Sequence, residues 1–312
     1  MNQPLASAGP APSASAYALL LVAPMLFASN MLVARWLDGG IPPVGLTIWR
    51  WSLTLLLLLP FCGGRLWAAR RRLWRDWPVL LLLGALGMGI CGAPVYIAGR
   101  TTTATNMGLI YTATPVLIVV FARLFWGEPV TWRQAIGIAL CMAGVVIVVV
   151  RGELAVLAEL AFAPGDLWIV LAAIGWAFYS VLLQHRNDGL DLLVRFAAIV
   201  VGGVVANVPF YVLEMAQGQH IAFDGRTLAI LLFVALVPGL GAFLSYGRLV
   251  ATIGPGRTGL LMYMIPLYNA GLAWLLLGEG LAAHHVIGAA LTLPGIYLAT
   301  RTSPLAPSSG ST

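Results

Sequence analysis

Apolar residues in this chain come in long unbroken runs separated by short polar connections. Ten runs stand out, at 16–37, 44–62, 77–98, 104–125, 130–150, 165–185, 192–213, 228–249, 255–277 and 281–300. A helix rises about 1.5 Å per residue, so about 20 apolar residues span the hydrocarbon core of a bilayer. Each run meets that length. The pattern therefore predicts an all-α integral membrane protein with ten transmembrane helices. The short connections leave no room for a soluble catalytic domain.

The runs fall into two sets of five. Displaced by 151 residues without a gap, the halves coincide at Phe27/Phe178, Ser29/Ser180, Arg35/Arg186, Thr101/Thr252, Gly108/Gly259, Pro115/Pro266, Gly127/Gly278, Glu128/Glu279, Gly137/Gly288 and Gly144/Gly295. A unit with an odd number of crossings begins its second copy from the opposite side, which predicts two inverted five-helix repeats around a central cavity. Residues 16–150 form the first repeat, 151–164 a linker and 165–301 the second. The Pro/Ala/Ser-rich ends, 1–15 and 302–312, read as disordered tails. The first of them lacks the basic cluster of a cleaved signal peptide.

Composition supports the membrane assignment. The chain is 60% hydrophobic and 9% charged, against about 25% charged in a soluble domain. Its net charge of +6 would suggest nucleic acid in a soluble protein, but the placement of the arginines gives it another meaning. With the N-terminus inside, twelve arginines (65, 70, 71, 72, 75, 123, 133, 186, 195, 248, 257 and 301) lie on the cytoplasmic side and four (35, 100, 151 and 226) outside. That bias predicts a multi-pass protein of a bacterial inner membrane with both termini cytoplasmic. Its partners are then the bilayer and a small-molecule substrate, with no nucleic acid and no required oligomer. Cys62, Cys91 and Cys141 fall in or at the ends of runs, an odd number with none in an outer loop, and read as buried thiols.

Several positions carry candidate chemistry. Pro115 and Pro266 lie centrally in runs four and nine. Proline removes a helix hydrogen bond and displaces the carbonyl four residues earlier, here Tyr111 and Met262. The pair are candidate hinges, with simple packing kinks as the alternative. Pro94, Pro209, Pro238 and Pro294 would interrupt other runs similarly. Gly87–Gly92 matches GxGxxG but sits inside an apolar run without the strand that a dinucleotide site needs, so close helix packing explains it better. Glu128 and Glu279 suit a helix end, the carboxylate accepting from the first amides of the next helix. Arg50 is the full charge well inside a run, either facing the bundle interior or snorkelling.

Polar and aromatic residues at central depth form the candidate pocket: Ser29, Asn30, Tyr96, Tyr111, Trp176, Tyr179, Ser180, Tyr246, Tyr263, Tyr268 and Asn269, with Arg50 as a possible anchor for a substrate carboxylate. His284 and His285 are helix neighbours without a carboxylate or cysteine at ligand spacing, so no metal is expected. No cofactor motif and no nucleophile–base or paired-acid set appears, so an enzyme is not expected.

In each half a central Pro is followed by Gly-Glu and then two glycines seven apart: Pro115, Gly127-Glu128, Gly137 and Gly144; Pro266, Gly278-Glu279, Gly288 and Gly295. Over about residues 17–300 the chain resembles the drug/metabolite transporter superfamily, EamA-type, and within it the YddG-type exporters of aromatic amino acids. Phe27-Ala28-Ser29-Asn30 stands where that family often has Trp-Gly-x-Asn, and Arg50 where it often has an Arg. The resemblance implies a basket-like bundle with a central cavity, and export of aromatic and other apolar amino acids. Cationic aromatic drugs remain an alternative. Sugar phosphates and nucleotide sugars are a further one, disfavoured by the single intramembrane arginine. With no Asp or Glu at mid-depth, facilitated diffusion or exchange is expected rather than obligatory proton antiport.

Overall fold

The computed structural model describes residues 14–36, 41–102, 104–153, 155–158, 163–185, 189–277 and 282–300. Of the expected tails, residues 1–13 and 302–312 lie outside these, while Ala14 and Ser15 begin the first helix. Gly278-Glu279, Arg186 and the side chain of Asn269 lie outside as well. All regular structure among the described residues is helical. Each apolar run is helical: α1 (Ala14–Trp36), α2 (Pro43–Ala68), α3 (Trp77–Ala98), α4 (Ala104–Thr112 and Thr114–Trp126), α5 (Trp132–Val149), α6 (Pro164–His185), α7 (Leu192–Ala216), α8 (Gly225–Ile253), α9 (Pro255–Gly259, Leu260–Met264 and Ile265–Leu277) and α10 (Ala283–Thr300). Seven described helices are long and apolar enough to cross a membrane.

The surface is the inverse of a soluble protein's. Leu56, Phe61, Leu124, Leu167, Phe210, Leu213, Leu275 and Val286 are exposed, whereas Arg50, Asp166, Ser180, Asn207 and Glu214 are buried. Large exposed apolar area of this kind marks contact with hydrocarbon.

Both central prolines restart helices. Pro115 lies in the first turn of the segment Thr114–Trp126 and Pro266 in that of Ile265–Leu277. Both bounds of these segments are separated by the same 151-residue offset. Proline fits there because a first-turn amide has no intrahelical partner to lose. The other prolines behave unequally. Pro209 and Pro294 sit inside unbroken α7 and α10, contrary to the expected interruption, while Pro94 begins a short helix. Pro238 lies in a π-helical segment, Ala235–Gly241. A second π-helical segment, Ala85–Ile90 in α3, occupies the matching place in the first half. π-Helical turns inside α-helices mark places where the regular hydrogen-bond ladder is locally abandoned.

The glycines seven apart form a seam between α5 and α10. A methyl group at Gly137 would stand 2.5 Å from the Gly295 carbonyl oxygen, and one at Gly144 2.7 Å from that of Gly288. Between them the Cys141 thiol donates to the Thr292 carbonyl at 3.4 Å. Residue numbers rise along one helix as they fall along the other, so α5 and α10 cross antiparallel. Only glycine permits so close an approach.

Two buried carboxylates tie one end of the bundle. Glu214, near the end of α7, accepts from the Val44 and Gly45 amides at the start of α2, at 2.9 and 2.6 Å. Asp166, in the first turn of α6, accepts from the Thr102 hydroxyl, from Asn106 Nδ2 at 2.9 Å and from the Ala163 amide at 2.8 Å. The opposite end has more exposed pairs. Arg65 meets Asp191 there, and Glu128 Oε1 lies 3.2 Å from His185 Nε2. His185 also stacks on Trp126, with ring centroids 4.6 Å apart. Glu128 therefore does not cap the next helix as expected. Thr131, the residue immediately before α5, accepts from the Gln134 amide instead.

Candidate transport site

α2 carries Arg50 into the bundle, where it is 5% exposed. Its Nη1 donates to Asn30 Oδ1 of α1 at 3.1 Å and lies 3.5 Å from the Tyr96 hydroxyl of α3. That hydroxyl itself donates to Asn30 Oδ1 at 3.1 Å. The three helices thus meet in one polar triad, and the snorkelling alternative is set aside. The guanidinium carbon stands 4.6 Å from the centre of the Trp51 ring. Among the described residues Arg50 Nε has no hydrogen-bond partner, and the salt bridges found there do not include Arg50.

Beside the triad lies a closed aromatic cluster. Trp51 packs edge-on against Phe243 of α8 at 4.8 Å. Phe243 in turn meets Trp176 of α6 at 5.4 Å and Phe27 of α1 at 5.6 Å. Trp176 contacts Tyr179 at 5.4 Å and Tyr246 at 4.9 Å. Tyr246 and Ser180 share a hydroxyl–hydroxyl hydrogen bond of 2.6 Å, and Ser180 also donates to the Trp176 carbonyl at 2.7 Å. Edge-to-face rings offer both π faces and polar rims, a surface that fits flat apolar groups. The indole nitrogen of Trp51 is buried without a partner.

Seven of the predicted positions therefore gather in one region: Asn30, Arg50, Tyr96, Trp176, Tyr179, Ser180 and Tyr246. Others do not join them. Ser29 bonds back to the Leu26 carbonyl of its own helix at 2.7 Å. Tyr263 is buried in a separate cluster with Val119, Ile138, Cys141 and Ala299, at the α5–α10 seam. Tyr111 is the exception, half-buried but within electrostatic reach of Tyr96 and Cys91, and Tyr268 is half-buried. The sequence reading missed Phe27 and Phe243 because it sought rings with polar edges, and it missed Trp51 although that ring has one. The Trp-Arg-Trp run at 49–51, aromatic on both sides of the charge, was an available signal. The Gly87–Gly92 motif proves to be a packing feature, since a methyl group at Gly87 would meet the Tyr179 ring at 2.7 Å.

Comparison with known proteins places this architecture. The EamA-like transporter family model matches twice, over residues 14–150 and 163–301. The uncharacterized transporter YyaM of Bacillus subtilis (strain 168) is 23% identical over 291 residues, covering 91% of this chain and 93% of its own. A protein of Streptantibioticus cattleyicolor named "Probable terminal-alkyne amino-acid exporter" is 28% identical over 270 residues, covering 85% and 86%. A solved crystal structure shares the fold with a TM-score of 0.73 at 20% identity, covering 93% of this chain and 97% of that one. The chain is a membrane transporter and belongs to the EamA-like transporter family.

Proposed function

We propose that this transporter exports small amphipathic metabolites, chiefly aromatic and other apolar amino acids, by alternating access. The observation that carries the reading is the junction of the Arg50–Asn30–Tyr96 triad with the aromatic cluster of Trp51, Trp176, Phe243 and Tyr246. One side suits a charged headgroup and the other a flat apolar side chain. The relative named "Probable terminal-alkyne amino-acid exporter" supports an amino-acid substrate.

In this reading ten helices cross a bacterial inner membrane with both termini cytoplasmic, and the halves are inverted. The antiparallel α5–α10 seam, the matched restarts at Pro115 and Pro266 and the matched π-helical segments support the inversion. The arginine bias puts the Arg65 end inside and the Glu214 end outside. Pro115 and Pro266 act as hinges, and transport is facilitated or by exchange. The test is counterflow of labelled amino acids into liposomes holding the purified protein. Uptake of phenylalanine, tryptophan or leucine above protein-free vesicles is expected, and none of them moving refutes the substrate class. Uphill transport driven by a pH gradient refutes the uncoupled mechanism.

A further inference from the structure

We propose that Arg50 is the carboxylate receptor of the transport site and that it admits substrates carrying one carboxylate while rejecting cations. The proposal rests on the reading of the chain as an exporter of amphipathic metabolites, and names the charge that the site selects.

A buried guanidinium inside a membrane bundle is expensive and is ordinarily paired. Arg50 has neutral partners instead: an amide oxygen, a phenol oxygen and the face of Trp51. These lower the cost of burial without cancelling the charge. Glu214 lies on neighbouring α7 but has both carboxylate oxygens engaged by the Val44 and Gly45 amides. Asp166 is likewise held, by Thr102, Asn106 and Ala163. Among the described residues, the buried acids Glu214 and Asp166 are thus committed elsewhere.

What remains open on Arg50 is Nε, buried and unpartnered. Nε forms one edge of the planar fork that grips a carboxylate through two parallel hydrogen bonds. Asn30 Oδ1 already accepts from Arg50 and Tyr96, and the remaining lone pair of Tyr96 Oη suits the ammonium of a zwitterion. The aromatic cluster lies on the Trp51 side, so an amino acid would enter with its carboxylate at Arg50 and its side chain among Trp51, Phe243 and Trp176. A single arginine neutralises a carboxylate but leaves a phosphate dianion half-compensated, and it repels a bare cation.

The test compares three indoles on the purified full-length transporter in nanodiscs, by ligand-induced thermal stabilisation and mutual competition. Tryptophan carries both charges, indole-3-propionate the carboxylate alone and tryptamine the ammonium alone. Tryptophan and indole-3-propionate are expected to bind the native protein at least tenfold more tightly than tryptamine. Arg50→Gln should weaken both carboxylates about tenfold to a hundredfold, the scale of hydrogen bonds to a charged group. It should leave tryptamine unweakened, and Arg50→Lys should fall between.

Tryptamine binding the native protein as well as indole-3-propionate overturns the proposal, and that comparison needs no variant to fold. Tryptophan counterflow that persists unchanged in Arg50→Gln leaves the exporter reading standing and removes the receptor. Arg50-dependent binding of leucine and 4-methylpentanoate, with no indole bound, keeps the receptor and removes the aromatic preference. Failure of every carboxylate overturns both.

Discussion

Glu214 offers a direct way to shift the transport cycle. Its carboxylate, 6% exposed, joins the end of α7 in the second half to the first amides of α2 in the first half. On the proposed alternating-access mechanism, opening the Glu214 end would part these helix ends. Glu214→Gln preserves shape but removes the charge. The amide oxygen still accepts from one backbone N–H, while the amide nitrogen faces the other, donor against donor. A hydrogen bond to a charged acceptor is worth about 1.5–3 kcal/mol, and the favourable charge at the N-terminus of α2 is lost besides. In the open form water solvates either side chain, so most of the loss falls on the closed form alone. A change of about 2–3 kcal/mol is about 30-fold to 150-fold in the ratio of open to closed.

Leu46, 1% exposed and packed with Ile221, Leu231 and Val234 behind this closure, can report on it. With Leu46→Cys in a background lacking the three native cysteines, labelling by an impermeant maleimide follows the open population. We expect Glu214→Gln to raise the labelling rate at least tenfold. A rate within twofold of the parent, in protein that keeps its melting temperature, refutes the assignment of Glu214 as a closure. A lowered melting temperature without faster labelling would make it a structural cap and nothing more.

Two further outcomes test the scaffold. Gly288→Ala should lower the melting temperature in detergent markedly, because the new methyl group would stand 2.8 Å from the Gly144 carbonyl oxygen, and overpacking costs about 1–3 kcal/mol; Gly64→Ala, inside α2 with nothing within 4 Å, should not lower it and should raise it slightly, since alanine is the better helix former. Arg65→Gln breaks a pair whose side chains are 54% and 43% exposed, so its thermal effect should correspond to less than about 1 kcal/mol.

The helical stretches were legible in the sequence because hydrocarbon thickness sets their length. The breaks at Pro115 and Pro266 were legible because proline acts on its own backbone, but the same argument overreached at Pro209 and Pro294, which sit in unbroken helices. The π-helical segments were not, since their runs are apolar on every face and no polar stripe registers a change of pitch. Tyr263 illustrates the limit for the site. Its position gives its depth, but depth does not say which way a helix turns its side chains, and this one faces the α5–α10 seam. Glu214 shows the same limit over distance, because its partners lie 170 and 169 residues away in the chain. Glu128 failed for a nearer reason. Thr131 stands at the residue just before α5, where a hydroxyl caps without reaching, and it prevailed over the longer side chain.

The two halves contribute unlike parts to the proposed site. Arg50, Asn30 and Tyr96 come from the first half, and their counterparts in the second are Val201, Val181 and Gly247. Trp176, Phe243 and Tyr246 come from the second half, where the first has Met25, Gly92 and Val95. The backbone-shaping residues agree between halves while the ligand-reading residues differ. On the proposed mechanism, a substrate held at its carboxylate by the first half and at its side chain by rings of both halves, Trp51 and Phe27 from the first and Trp176, Phe243 and Tyr246 from the second, is sensitive to the distance between the halves. Its binding energy is then realised fully in the states where both grips hold, and a ligand shifts a conformational equilibrium only by such a difference in affinity. A compound filling the aromatic cluster without reaching Arg50 would lack the first half's charged grip and bias the cycle less. Division of the site between unlike halves thus gives the substrate its leverage on a symmetric scaffold.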